Sequence, residues 1–348
     1  MQVTIEELQE TGIGAEEAQR LHPRIVEIMN VADEGERWMR MTREVLSPAH
    51  PFPLHRRLHE RAFAKHPPEA GPAPAWFPEH PEETNLWRFM QELGMEDYPE
   101  FHRWSTANRA EFWKRTIERL GIRFETPFDR VLDLSHGAEY PEWLCNARYN
   151  IVASCFQADP EGVAIVHQRE GGEIHRESYR QLEALTRRVA RGVLDLGFQP
   201  GDAIAIDMPM NAASVAIYLG IVAAGCIVVS IADSFAPEEI AVRLRISKAA
   251  GIFTQDVIRR GGRTIPLFER VVQAQAPRAI VLASEGGKPT CTLREGDLTW
   301  EAFLPDEGLE RPISRNPHDH TNILFSSGTT GEPKAIPWTQ TTPIKAAA

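Results

Sequence analysis

The chain has 348 residues, 42% hydrophobic and 25% charged, the composition of a folded globular protein of about two to three domains. Its 38 basic and 49 acidic residues leave a net charge of −11, which argues against broad nucleic-acid or membrane-surface binding. No run approaches the roughly eighteen apolar residues of a membrane span.

Residues 1–63 read as a helical segment with polar joints. Ile5, Leu8, Ile13, Ala18, Leu21, Ile25 and Ile28 are spaced irregularly, and Gly12 and Gly14 break the run into short helices. Residues 64–84 carry Pro67, Pro68, Pro72 and Pro74 and read as an extended linker with too few apolar residues for a core of its own. Residues 85–150 return to helix. Asn85 is the expected cap of a run through Leu93 that Gly94 ends. A second run carries Phe101, Trp104, Ala107, Phe112, Trp113, Ile117 and Leu120 and stops at Gly121. Its aromatic residues stand at helical spacing and read as core rather than a stacking platform.

From residue 151 to 348 the texture is α/β. Val163–Val166 and Glu173–His175 flank Gly171-Gly172 as a hairpin. Ser178 is placed to cap a helix with Leu182, Leu185, Val189, Val193 and Leu196 on one face and Gly197 as its stop. Strands are expected at 203–208, 227–231, 252–254 and 279–282. Between them run an apolar helix from Asn211 to Ala224 and a helix opened by Pro237. Alternating strands and helices imply a largely parallel sheet built from right-handed crossovers.

The densest chemical signal is Ser326-Ser327-Gly328-Thr329-Thr330-Gly331-Glu332-Pro333-Lys334. Glycines let successive amides point into one concavity, hydroxyls add donors, and a lysine adds a mobile charge: the requirements of a phosphate loop. Apolar runs on both sides, Ile323–Phe325 and Ala335–Trp338, make it a strand-to-strand loop. A Walker A loop opens a helix instead.

This run resembles the phosphate-binding motif of the adenylate-forming superfamily, close to [ST]SG[ST]TGxPK. Every specified position is met. The departures are Ala335, often Gly in the family, and Trp338, often His. Ser178–Leu182 and Gly201–Ile206 resemble that family's early landmarks. Trp104–Asn108 with Phe112-Trp113, and Trp143–Asn150, are similar to the N-terminal extension of acetyl- and acetoacetyl-CoA synthetases, with Leu144 and Tyr149 as departures. The phrase from Ser326 to Trp338 resembles plant-type acyl-activating enzymes. The likeness covers roughly residues 85–348.

The resemblance implies the fold class: an α/β, incomplete adenylate-forming N-terminal domain, with a largely parallel sheet flanked by helices and preceded by a helical extension. It implies an AMP-forming acyl-CoA synthetase using ATP, Mg²⁺ and CoA on a carboxylic acid substrate. Ser326, Ser327, Gly328, Thr329, Thr330, Gly331 and Lys334 are the expected ligands of the ATP phosphates. Arg259-Arg260-Gly261-Gly262-Arg263-Thr264-Ile265-Pro266 resembles a segment whose arginines contact the 3′-phosphate of CoA, which assigns that role to Arg260 and Arg263. The alternative for this run is a solvated basic loop.

No catalytic residue and no metal ligand is assignable here, because in the family they lie downstream of the phosphate loop. The chain stops seventeen residues after Gly331. The expectation is therefore a chain inactive without the C-terminal part of the same protein, with its last dozen residues poorly held. Two other readings stand beside it: a non-catalytic nucleotide- or CoA-binding module, and an adenylation domain serving a carrier protein.

His55 and His59 have zinc-like spacing but lack the glutamate of H-E-x-x-H, and read as packed or surface histidines. Cys145, Cys155, Cys226 and Cys291 show no CxxC pair and read as free thiols. The N-terminus, MQVTIEELQE, lacks the basic and apolar regions of a signal peptide. Together these features predict a cytoplasmic location, with neither nucleic acid nor membrane as partner.

Overall fold

The computed structural model describes residues 3–78, 80–326 and 331–347. The chain divides into two compact units, Met1–Trp104 and Ser105–Ala348.

In the first unit, α1 (Ile5–Gln9), α2 (Ala15–Met29), α3 (Glu34–Glu44) and α4 (Phe52–Ala62) close on a core that includes Leu8, Ile25, Ile28, Met41, Leu54 and Leu58. The chain between Ala62 and α5 (Asn85–Glu92) is docked along the helices. Trp38 Nε1 donates to the Ala75 carbonyl at 2.8 Å, and Phe77 packs against the helical core. His55 and His59 contact the carbonyls of Ser47 and Pro74 at 3.1 and 3.3 Å. Asn85 is not the cap of α5. The Thr84 hydroxyl accepts the Trp87 N–H, because the cap residue needs extended dihedrals and Thr84 has them. Phe101 packs edge-on to Phe89.

The expected run from Phe101 to Leu120 is two helices, α6 (Tyr98–Ala107) and α7 (Arg109–Arg119). The stretch 85–150 also contains an unanticipated antiparallel hairpin, β1 (Arg130–Asp133) with β2 (Glu142–Cys145). Its Trp143 meets Trp113 edge-on.

The rest of the second unit follows in order: β3 (Val163–Gln168), β4 (Ile174–Ser178), α8 (Tyr179–Asp195), β5 (Ala203–Asp207), α9 (Ala212–Ala223), β6 (Ile227–Ile231), α10 (Pro237–Ser247), β7 (Gly251–Gln255), β8 (Val257–Arg260), β9 (Arg263–Pro266), α11 (Leu267–Gln273), β10 (Ala279–Leu282), β11 (Leu298–Thr299), α12 (Trp300–Phe303), β12 (His320–Ser326), β13 (Lys334–Thr339) and α13 (Thr342–Ala347). Among the described residues these build a seven-stranded sheet of order β11-β10-β7-β5-β6-β12-β13. Every neighbouring pair is parallel except β12 with β13. All five residues of β5 are buried. Ile204 and Ile206 belong to the core on one face, Ala203 and Ala205 to that on the other, as a sheet covered by helices on both sides requires.

Local signals place these helices. Ser178 and Gln181 form a capping box on α8, and Asn211 and Ser214 form one on α9. Each satisfies amides that the first turn leaves without partners. Gly197, with φ 89°, ends α8 where an L side chain is disfavoured.

The last described residues have anchors that the expectation of a poorly held end did not include. Gln340 Oε1 accepts the buried Ile151 N–H at 2.8 Å, and Ile344 of α13 joins the main core. A buried hydrogen bond and an apolar anchor supply the tie that the sequence pattern did not show.

Helices α8 and α9 pack closely at Gly220. A Cβ placed on Gly220 would lie 2.5 Å from Val189 Cγ1 and 3.0 Å from the Thr186 carbonyl. Gly220→Ala is therefore expected to lower unfolding stability by about 1–3 kcal/mol through overpacking, read as a lower urea midpoint at unchanged m-value. An unchanged midpoint would show that the two helices part without loss.

Candidate functional site

In open α/β sheets ligands bind beyond the carboxyl ends of the strands. Two features of this chain meet there. The first is the connection from β12 to β13. Ser326 pairs with Lys334 in antiparallel register, so the connection joins two paired strands, with a hydroxyl residue at one root and an ammonium residue at the other. Ser327, Gly328, Thr329 and Thr330 lie outside the described residues. Gly331, at φ 120°, has dihedrals that an L side chain rarely adopts.

Helix α10 secures the roots of this loop. Arg243 is buried, and its guanidinium stacks 3.9 Å from the Phe235 ring centroid and 5.6 Å from that of Phe325. A cation over an aromatic face fixes the strand end just before the loop. Arg245 pairs with Glu332 beyond it. Neither arginine was singled out from the sequence. Their spacing along α10 carries no signal of a partner 87 residues away.

The second feature is a cleft of about 700 Å³ lined by the β3–β4 hairpin, the start of α9, and the chain following β5, β7 and β10. Asn211 Nδ2 donates to Gln255 Oε1 at 2.8 Å, joining two walls. Asp256 fixes the root of the β8–β9 hairpin. Its carboxylate accepts from the N–H groups of Val257, Ser284 and Thr290 at 2.8–2.9 Å, and from the Thr290 hydroxyl. Burial alone would push that carboxyl up, but these hydrogen bonds hold it below the usual range.

The basic run forms this hairpin rather than a loop. Arg260 pairs with Arg263 in register across Gly261-Gly262. Arg260 lines the cleft and holds both oxygens of Asp233, at 2.7 and 3.2 Å. Arg259 meets Glu285 at 2.6 Å. The Arg263 side chain is exposed and has no hydrogen-bond or ion-pair partner among the described residues.

Comparison with known proteins places this architecture. The model of the AMP-binding enzyme family matches residues 153–348. The chain belongs to the AMP-binding enzyme family. A model of the acetyl-coenzyme A synthetase N-terminus matches residues 98–155, and a SAM-domain model of probable acyl-activating enzymes 17/18 matches residues 1–64. Probable acyl-activating enzyme 18, peroxisomal, of Arabidopsis thaliana is 39% identical over 97% of this chain and 50% of its own length. Hexanoyl-CoA synthase of Cannabis sativa is 39% identical over 97% and 51%. The structure of acetoacetyl-CoA synthetase from Streptomyces lividans matches with a TM-score of 0.70 and 25% identity, over 77% of this chain and 44% of that one. This chain of the AMP-binding enzyme family thus spans about half the length of the curated relatives it matches.

The expected cytoplasmic location is overturned by the peroxisomal description of that relative. Organelle addresses of this kind are short, receptor-read sequences, so net charge and cysteine pattern do not register them. No helix among the described residues is long and apolar enough to cross a membrane.

One carboxyl beneath the cleft escaped the sequence reading. Asp207, at the carboxyl end of β5, is fully buried, and neither oxygen has a hydrogen-bond partner. Burial pushes it up to about 7, the negative charge of Asp233 adds to this, and Arg270 opposes it. Between pH 3.8 and about 7 the native chain keeps a proton that the unfolded chain releases, so Asp207 makes stability fall as pH rises through that window. Asp207→Asn should match the wild type in thermal melts at pH 4 and melt roughly 5 °C or more higher at pH 8. Equal melting temperatures at pH 8 would show that Asp207 ionises at no cost.

Proposed function

We propose that this chain supplies the ATP-phosphate loop and the coenzyme A nucleotide site of an AMP-forming acyl-CoA synthetase. The observation that carries the reading is the register of β12 on β13. It sets Ser326 opposite Lys334 at the carboxyl edge of the sheet, at the two roots of a run rich in glycine and hydroxyl residues. In the proposed reaction a carboxylate displaces pyrophosphate from ATP to give an acyl-adenylate. The thiol of CoA then displaces AMP to give the thioester.

Ser326, Ser327, Thr329 and Thr330 are assigned as phosphate donors, with Gly328 and Gly331 allowing the backbone to approach. Lys334 is the cation at the loop exit. Mg²⁺ would neutralise phosphate charge; among the described residues no group of three metal-ligating side chains occurs, so no ligand is assigned to it. At the tip of the β8–β9 hairpin beside the cleft, the Arg260 and Arg263 guanidinium groups and two glycine amides suit a phosphomonoester, which supports Arg260 and Arg263 as readers of the CoA 3′-phosphate. An adenylation domain serving a carrier protein has no use for such a site, since a tethered pantetheine lacks that phosphate.

Calorimetry on this chain with CoA, 3′-dephospho-CoA and ATP tests the reading. CoA should bind at least about tenfold more tightly than 3′-dephospho-CoA, the worth of one charge-assisted hydrogen bond. Arg260→Ala and Arg263→Ala should each reduce that preference and spare ATP. Lys334→Ala should weaken ATP by about tenfold and spare CoA. Equal binding of the two thiols by the wild type leaves the basic hairpin as surface.

A further inference from the structure

The turn of the β8–β9 hairpin is already holding an anion. Gly261 and Gly262 take φ values of 59° and 70°, left-handed dihedrals that glycine adopts freely. Their N–H groups point the same way. Gly261 donates to Glu170 Oε2 at 2.9 Å and Gly262 to Glu170 Oε1 at 2.8 Å. Two successive amides aimed at one carboxylate form an anion nest. Glu170 comes from the tip of the β3–β4 hairpin, 91 residues from Gly261 in sequence, and lines the cleft.

The surrounding charges explain why this seat is suited to more than a carboxylate. Arg260 is committed to Asp233 and Arg259 to Glu285. Arg263, opposite Arg260 across the turn, is uncommitted among the described residues. A phosphomonoester brings close to two negative charges and three acceptor oxygens, where a carboxylate brings one charge and two oxygens. It can take both amides and still engage Arg263.

We propose that the Gly261–Gly262 amides are the seat of the ligand's phosphomonoester, and that Glu170 keeps the seat filled until the ligand displaces it. This rests on the reading of the cleft as the coenzyme A nucleotide site. Glu170 is then an internal competitor. It satisfies the two amides when the site is empty, and it lowers affinity for every ligand that must evict it. A carboxylate that serves only to tie the two hairpins together would act the other way: its removal would loosen the cleft and weaken binding.

Glu170→Ala and Glu170→Gln, checked for wild-type circular dichroism, are titrated calorimetrically with CoA and 3′-dephospho-CoA. Glu170→Ala should tighten CoA by about three- to tenfold, since an exposed competing contact of this kind is worth at most about that factor. Glu170→Gln, which keeps an acceptor but not the charge, should fall between the two. Binding of 3′-dephospho-CoA should not change, because that ligand leaves the seat to Glu170. If the alanine variant fails to fold, tightening in the glutamine variant decides. Unchanged or weaker CoA binding in the folded variants overturns the seat; a wild type that still prefers CoA over 3′-dephospho-CoA would leave the coenzyme A reading standing. A wild type that does not distinguish the two thiols, or no CoA binding by any form, overturns both.

Discussion

Everything in the second unit depends on the burial of β5 on both faces. A strand that is fully enclosed must satisfy its backbone through its neighbours, and β6 and β7 pair with it along almost its whole length. Helices must then cover both surfaces. The α8–α9 pair does so on one side, close enough that Gly220 has no room for a methyl group. Helices α10 and α11 cover the other. The carboxyl ends of the strands are thereby aligned on one edge. The loop after β12 and the cleft beyond β5, β7 and β10 share that edge for no other reason than the parallel direction of the strands.

The same burial creates the chain's least comfortable group. Asp207 continues the pattern of Ala203 and Ala205 into a position where its carboxyl finds no donor. Asp233 lies near enough to disfavour its ionisation, while Asp233 itself is held by Arg260. Buried carboxyl, partly buried acid and exposed guanidinium thus form a graded series from the sheet to the cleft. A change at Arg260 is felt at Asp233, and the charge on Asp233 bears on Asp207. Local strain of this kind clusters where ligands bind.

Anionic side chains occupy the positions that the proposed phosphate sites offer. Arg259, Arg260 and the Gly261–Gly262 amides each hold a carboxylate of the chain, and Arg245 holds Glu332 beside the proposed phosphate loop. These pairs are largely exposed, so each contributes little to folding. Their consequence is for affinity, because a ligand phosphate gains only the difference between its own contacts and those it replaces.

Elements whose evidence is local were legible from the amino-acid sequence. The capping residues Ser178 and Asn211, the stop at Gly197, the strands at 227–231 and 279–282, and the strand–loop–strand character of the phosphate run follow from short-range pattern. So does the family, because its loop chemistry demands residue types in a fixed order. The β1–β2 hairpin was not legible, since its short strands, Arg130–Asp133 and Glu142–Cys145, mix charged and apolar residues and stand far apart for a tight hairpin turn. Nor was the anchoring of the last helix, which hangs on a hydrogen bond between Gln340 and Ile151.

At the site, the sequence determined which groups are present: hydroxyls, glycines, Lys334 and a pair of arginines around Gly-Gly. Only the tertiary structure decided what they meet. Arg260 faces Asp233 and Gly261 faces Glu170 because strands and hairpins far apart in the chain converge on one sheet edge. Charge pairing acts through space over a few ångströms, and separation along the chain carries no record of it.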